Sequence, residues 1–108
     1  MQNILDLHAV DFSNNEEITE IITQGNFLRI ERIISAGQTT PDGFWYDQAE
    51  HEFVMVLQGE AKIVFEDNKE QLFKTGDYIN IPAHVKHRVT YTSSEPKCIW
   101  LAIFYGIV

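Results

Sequence analysis

The chain has 108 residues, enough for one domain with its own core. Sixteen acidic residues against eight basic ones give a formal net charge of −8, which argues against nucleic acid or an anionic membrane surface as partner. Cys98 is the only cysteine, so a disulfide framework and a thiolate zinc cluster are excluded, and a reducing cytoplasm is the expected compartment.

The N-terminus lacks the basic and apolar regions of a signal peptide. Residues 1–12 are weakly patterned and read as an arm or edge strand. Ser13 followed three residues later by Glu16 is a capping-box signature. It predicts a short helix over Asn14–Thr23, with Ile18, Ile21 and Ile22 on one face and Gly25 at its end. Residues 1–26 are therefore expected to form an N-terminal arm and short helix, and residues 27–108 a β-domain.

Phe27 to Ser35 alternates as a strand. Arg32 shares a face with Leu28, Ile30 and Ile34, and reads as a salt-bridge partner at a strand end, with a pocket cation as the alternative. After turns at Ala36-Gly37 and Pro41-Asp42-Gly43, Phe44–Gln48 and Glu52–Leu57 read as two strands. Phe53 to Leu57 is five apolar residues in a row, the pattern of a strand covered on both faces. Glu52 heads that strand, and a carboxylate entering a dry strand needs a cation, a metal or hydrogen-bond donors.

Further strands are predicted over Ala61–Glu66, Gln71–Phe73, Tyr78–Ile81, His87–Thr92 and Lys97–Tyr105, with turn residues between them. Cys98 lies in the last apolar run and reads as an inert core residue. That run, Cys98 to Val108, is about half of a membrane span. Many short strands with at most one helix indicate an all-β sandwich or barrel. Two strands apolar on both faces imply that a sheet is covered from outside, most economically by a second copy in a homodimer.

Glu52, six intervening residues and Gly59, then Gly76, five residues, Pro82 and His87, carry a resemblance. The chain resembles the cupins, small double-stranded β-helix (jelly-roll) barrels. Their first motif, G-x5-H-x-H-x3-4-E-x6-G, is matched in its second half. Their second, G-x5-P-x-G-x2-H-x3-N, is matched at Gly76, Pro82 and His87. Trp45-Tyr46-Asp47-Gln48, with Pro82-Ala83-His84 and His87-Arg88-Val89, is similar to a group of small bacterial single-domain cupins. The resemblance implies a cupin barrel acting on a small molecule. In metal-binding cupins the two motif-one histidines, the glutamate and the motif-two histidine hold a divalent metal. Here the two histidine positions fall on Tyr46 and Gln48 in one spacing and on Trp45 and Asp47 in the other. His84 stands at the motif-two glycine and Tyr91 at the asparagine.

Two site chemistries stay open. Gln48, Glu52 and His87, with His84 as a further candidate, offer donors for one divalent transition metal (Fe, Mn, Ni or Zn), in a dioxygenase, isomerase or epimerase. A metal-free site is equally plausible. Glu52 and His87 would then form an acid–base couple, Tyr46 would assist, and Trp45, Tyr46 and Gln48 would bind a small polar ligand, turned over or merely sensed. His84 reads otherwise as a turn residue, His51 as a surface or dimer-interface residue, and Arg88 as facing away from the interior.

Overall fold

A computed structural model describes residues 1–106. The last two residues of the predicted 27–108 range lie outside the described residues. Eight strands follow one another: β1 Ile18–Gly25, β2 Leu28–Ser35, β3 His51–Gln58, β4 Glu60–Phe65, β5 Glu70–Lys74, β6 Tyr78–Ile81, β7 His87–Thr92 and β8 Cys98–Tyr105. They form a five-stranded sheet, ordered β1-β2-β8-β3-β6, and a three-stranded sheet, ordered β5-β4-β7. Every pairing is antiparallel. The architecture is the double-stranded β-helix. Among the described residues no helix is long and apolar enough to cross a membrane.

The helix expected over Asn14–Thr23 is absent: Ile18–Gly25 is an edge strand. Its eight residues include three isoleucines and two threonines, whose branched side chains suit a pleated sheet better than a helix. The pairing gives those residues partners, with Ile18 opposite Ile34 and Glu20 opposite Arg32. The capping-box residues do local work instead: the amide of Glu16 donates to Asn14 Oδ1 at 3.3 Å, and that of Ser13 to Asp11 Oδ1 at 2.9 Å. β1, inside the N-terminal segment, is thus hydrogen-bonded into the large sheet.

Phe44–Gln48 is not a full strand either. Only Tyr46 pairs, in an isolated bridge to His87. Its amide donates to the His87 carbonyl at 2.8 Å, and the His87 amide donates back at 3.1 Å. This bridge sets Tyr46 beside His87, with the two rings stacked at 5.6 Å.

The core fills the space between the sheets. Val54 and Val56 of β3, Ala61 and Ile63 of β4, Phe73, Ile81, and Cys98, Trp100 and Ala102 of β8 pack together there. Alternation along β3 sends Glu52, Val54 and Val56 inward, leaving Phe53, Met55 and Leu57 half-buried on the outer face. So β3 is covered on one face and only partly on the other. Each buried aliphatic side chain contributes about 1.5–3 kcal/mol. Gly59 closes the β3–β4 turn at φ +80°, where a β-carbon would run into the Ser93 hydroxyl and come within 3.0 Å of the Lys97 carbonyl.

Candidate functional site

The two sheets do not close completely. Between them lies a cavity of about 490 Å³. Val54, Ile63, Ile81, Val89 and Trp100 give it an apolar interior, and Tyr46, Gln48, Glu52 and His87 also line it. Four residues singled out in the sequence thus meet in one place. Glu52 comes from the head of β3, His87 from the head of β7, and Tyr46 and Gln48 from the segment bridged to β7.

Glu52 and His87 are only 8% and 5% exposed. Glu52 Oε1 accepts a hydrogen bond from the Gln48 amide at 2.9 Å and lies 3.4 Å from His87 Nε2. His87 Nδ1 lies 3.0 Å from the Val85 carbonyl oxygen, which can only accept, so Nδ1 carries a hydrogen. Nε2 therefore carries a proton only when the ring is charged. Burial pushes the His87 pKa down, but the Glu52 carboxylate and the Val85 carbonyl outweigh it, and the pKa stands above its ordinary value. The Tyr46 phenol is raised too, first by burial and then by the nearby charges of Glu17 and Glu52, against a hydrogen bond with Thr40.

Other predicted residues lie elsewhere. Trp45 is not part of the cavity wall; its ring sits 5.7 Å from the Arg88 guanidinium. His84 is exposed and its Nδ1 pairs with Asp47 at 2.8 Å. His51 Nδ1 accepts from the Ala83 amide at 2.9 Å. Arg32 turns away from the cavity, reaches Glu20 at 2.5 Å and donates to the carbonyls of Ile4 and Asp6. Arg88 approaches Asp42 at 3.5 Å. Cys98 is buried, and its thiol is pushed up to about 12 by burial and then by the charge of Glu17.

Sequence reasoning missed Glu31 and Glu17. Glu31 is 8% exposed and lines the cavity from β2. Arg29 Nε pairs with its Oε2 at 2.6 Å and spreads its other nitrogens over Glu50 at 3.1 Å. Glu17 also lines the cavity, and its Oε2 accepts from the Ser35 hydroxyl at 2.6 Å. A signal for Glu31 existed: it shares a strand face with Ile33, as Glu52 does with Val54 and Val56.

The donor set falls short of a transition-metal centre. Among the described residues no three His, Cys, Asp or Glu side chains converge. Glu52 and His87 are sound ligands, and an imidazole fixed through Nδ1 to a carbonyl is how metal-bound histidines are commonly held. The third neighbour is the Gln48 amide, a weak ligand that here donates to Glu52.

A model of the cupin domain matches residues 30–104, about seven-tenths of the chain. The chain is a cupin. A search of curated proteins found no match. Among solved structures this cupin is similar to a "putative mannose-6-phosphate isomerase" from Ralstonia eutropha JMP134, at 37% identity and a TM-score of 0.90, over 99% of this chain and 98% of that one. An RmlC-like cupin family protein with a double-stranded β-helix fold from Methanocaldococcus jannaschii shares 15% identity, with a TM-score of 0.71 over 89% and 85% of the two chains. A Co(II) HppE shares 21% identity, with a TM-score of 0.69 over 82% and 53%. The last two likenesses concern the fold alone.

Proposed function

We propose that this cupin binds a small polar ligand inside its barrel and moves a proton on it through Glu52 and His87, without a metal. The carrying observation is the buried contact between Oε1 and Nε2 within the cavity. A carbon next to a carbonyl gives its proton to the Glu52 carboxylate as the C–H bond breaks. The Nε2–H of His87 passes its proton to the carbonyl oxygen, and an enediol or enol forms. Glu52 then delivers its proton to the neighbouring carbon or to the opposite face of the same carbon, His87 Nε2 recovers a proton from the hydroxyl whose oxygen becomes the carbonyl, and an isomerisation or epimerisation is complete. Tyr46 and Gln48 orient the ligand. The likeness to the Ralstonia protein supports an isomerase-type reaction. The mutual satisfaction of Gln48, Glu52 and His87 favours a second reading, a cupin that binds and senses a ligand without turnover.

The test is solvent deuterium exchange. Chelator-treated protein is incubated in D2O with aldoses, ketoses and amino carbonyl compounds, and label at the carbon next to the carbonyl is followed by NMR. Exchange that persists without metal and falls about 10²–10⁴-fold in Glu52→Gln supports proton transfer. Exchange that needs stoichiometric metal overturns the metal-free mechanism. Ligands that raise the melting temperature without exchanging favour the sensing cupin.

We further propose a homodimer through the outer face of the five-stranded sheet. Phe53 and Met55 lie opposite Ile103 and Leu101, and on their other side opposite Asn80 and Tyr78. Opposed residues share a face, so these side chains make one uncharged patch. A second copy offers the same patch, as a two-fold interface requires.

A further inference from the structure

The charge of the cavity wall bears on which ligand it accepts. Four carboxylates line it, from Glu16, Glu17, Glu31 and Glu52, against one imidazole, His87. Among the described residues no lysine or arginine does. Arg29 sits over the ring of the lining Phe104 at 4.4 Å and is committed to both Glu31 and Glu50. It therefore offsets carboxylates rather than offering free positive charge. An anionic sugar phosphate brought into this wall would meet like charge in a partly dry site, where such repulsion is weakly screened.

Glu31 and Glu52 are the informative pair. Both are 8% exposed, and they reach the cavity from β2 and β3, on either side of β8. The contacts of Glu52 with Gln48 and His87 both fall on Oε1, and the ion pair of Glu31 falls on Oε2. The other oxygen of each carboxylate takes part in none of these contacts. Around them stand Trp100 and Tyr46, aromatic rings that attract a cation, and the aliphatic wall of Ile33, Val54 and Val89. Buried acceptors, aromatic faces and an apolar wall together match a hydrogen-bond-donating cation on a compact hydrocarbon body.

We infer that the ligand of this cavity is a small protonated amine, held by Glu31 and Glu52, and not a phosphorylated or carboxylated compound. The amine class presupposes, with the function proposed above, that the cavity is the ligand site, but it does not depend on turnover.

The experiment uses three probes of one shape and different charge: benzylamine, benzyl alcohol and benzoate, with mannose 6-phosphate as the sugar-phosphate anion. Binding to the full chain is followed by chemical-shift changes of the Ile33, Val54 and Val89 methyl groups at pH 7. Benzylamine is expected to bind at least tenfold tighter than benzyl alcohol, with no saturable shift from either anion. Glu31→Gln should remove most of that preference. Glu16→Gln, at an exposed position of the wall, should reduce it in a chain whose buried ion pairs are untouched. Benzoate or mannose 6-phosphate binding as tightly as benzylamine would overturn the amine class while leaving the cavity as the site. No shift of these methyl groups with any probe would overturn the cavity as the site, and the amine with it.

Discussion

Replacing Glu52 with glutamine tests the buried pair most directly. The variant keeps the shape and a hydrogen-bond acceptor for Gln48 but removes the negative charge. Breaking a buried ion pair from one side costs about 3–5 kcal/mol. The retained hydrogen bond places the expected loss near the lower end, about 3 kcal/mol, while His87 is charged. The His87 pKa is raised in the folded protein, by Glu52 and the Val85 carbonyl against burial. Its stabilising contribution is therefore fully present below the unfolded value of about 6.5 and disappears as pH rises through the folded pKa. Above that pKa the neutral ring turns the lone pair of Nε2 toward the carboxylate, and the attraction is gone. Glu52→Gln should then cost only about 1 kcal/mol, the worth of an ordinary hydrogen bond. The assay is urea unfolding of both proteins at pH 6 and pH 9, with the His87 ring proton titrated by NMR. In the variant His87 should titrate lower than in the parent, because burial is then opposed only by the Val85 carbonyl. An equal loss at both pH values, or an unchanged His87 pKa, would refute the ion-pair account.

Two further outcomes follow from the packing. Gly59→Ala should destabilise by roughly 3–5 kcal/mol, combining the positive φ, the crowding by Lys97 and Cys98 and the threatened bond from the Glu60 amide to Ser93. Gly43→Ala shares the positive φ but meets nothing within 4 Å, so it should cost only about 1–2 kcal/mol, and equal midpoint shifts in thermal melts would contradict the crowding. Leu101→Glu, on the outer face of the large sheet, should yield a folded monomer by light scattering and circular dichroism where the parent is a dimer. A parent that is already monomeric would remove the proposed interface.

By itself the sequence determined the strand ladder and the family. Alternation and turn residues located seven of the eight strands, because period-two burial and Gly or Pro stops are local properties. Glu52 and His87 stood out for local reasons too: Glu52 heads an apolar strand, and both sit at motif positions. The short helix was misread because Ser13 and Glu16 satisfy a capping pattern that local sequence alone cannot tell from a turn. β1 became a strand only through its pairing with β2, where Glu20 meets Arg32 and Ile18 meets Ile34.

Only the tertiary structure decided what surrounds the pair. Glu31 lies more than twenty residues before Glu52 in the chain, and only the order β2-β8-β3 brings both to one cavity. Trp45 is adjacent to Tyr46 in sequence yet faces Arg88, because successive residues of an extended chain point in opposite directions. The net charge of −8 says that carboxylates are plentiful. That four of them line the same wall, with Arg29 tied to one of them, Glu31, and to Glu50, is a property of the folded sheets, where long-range pairing sets which charges become neighbours.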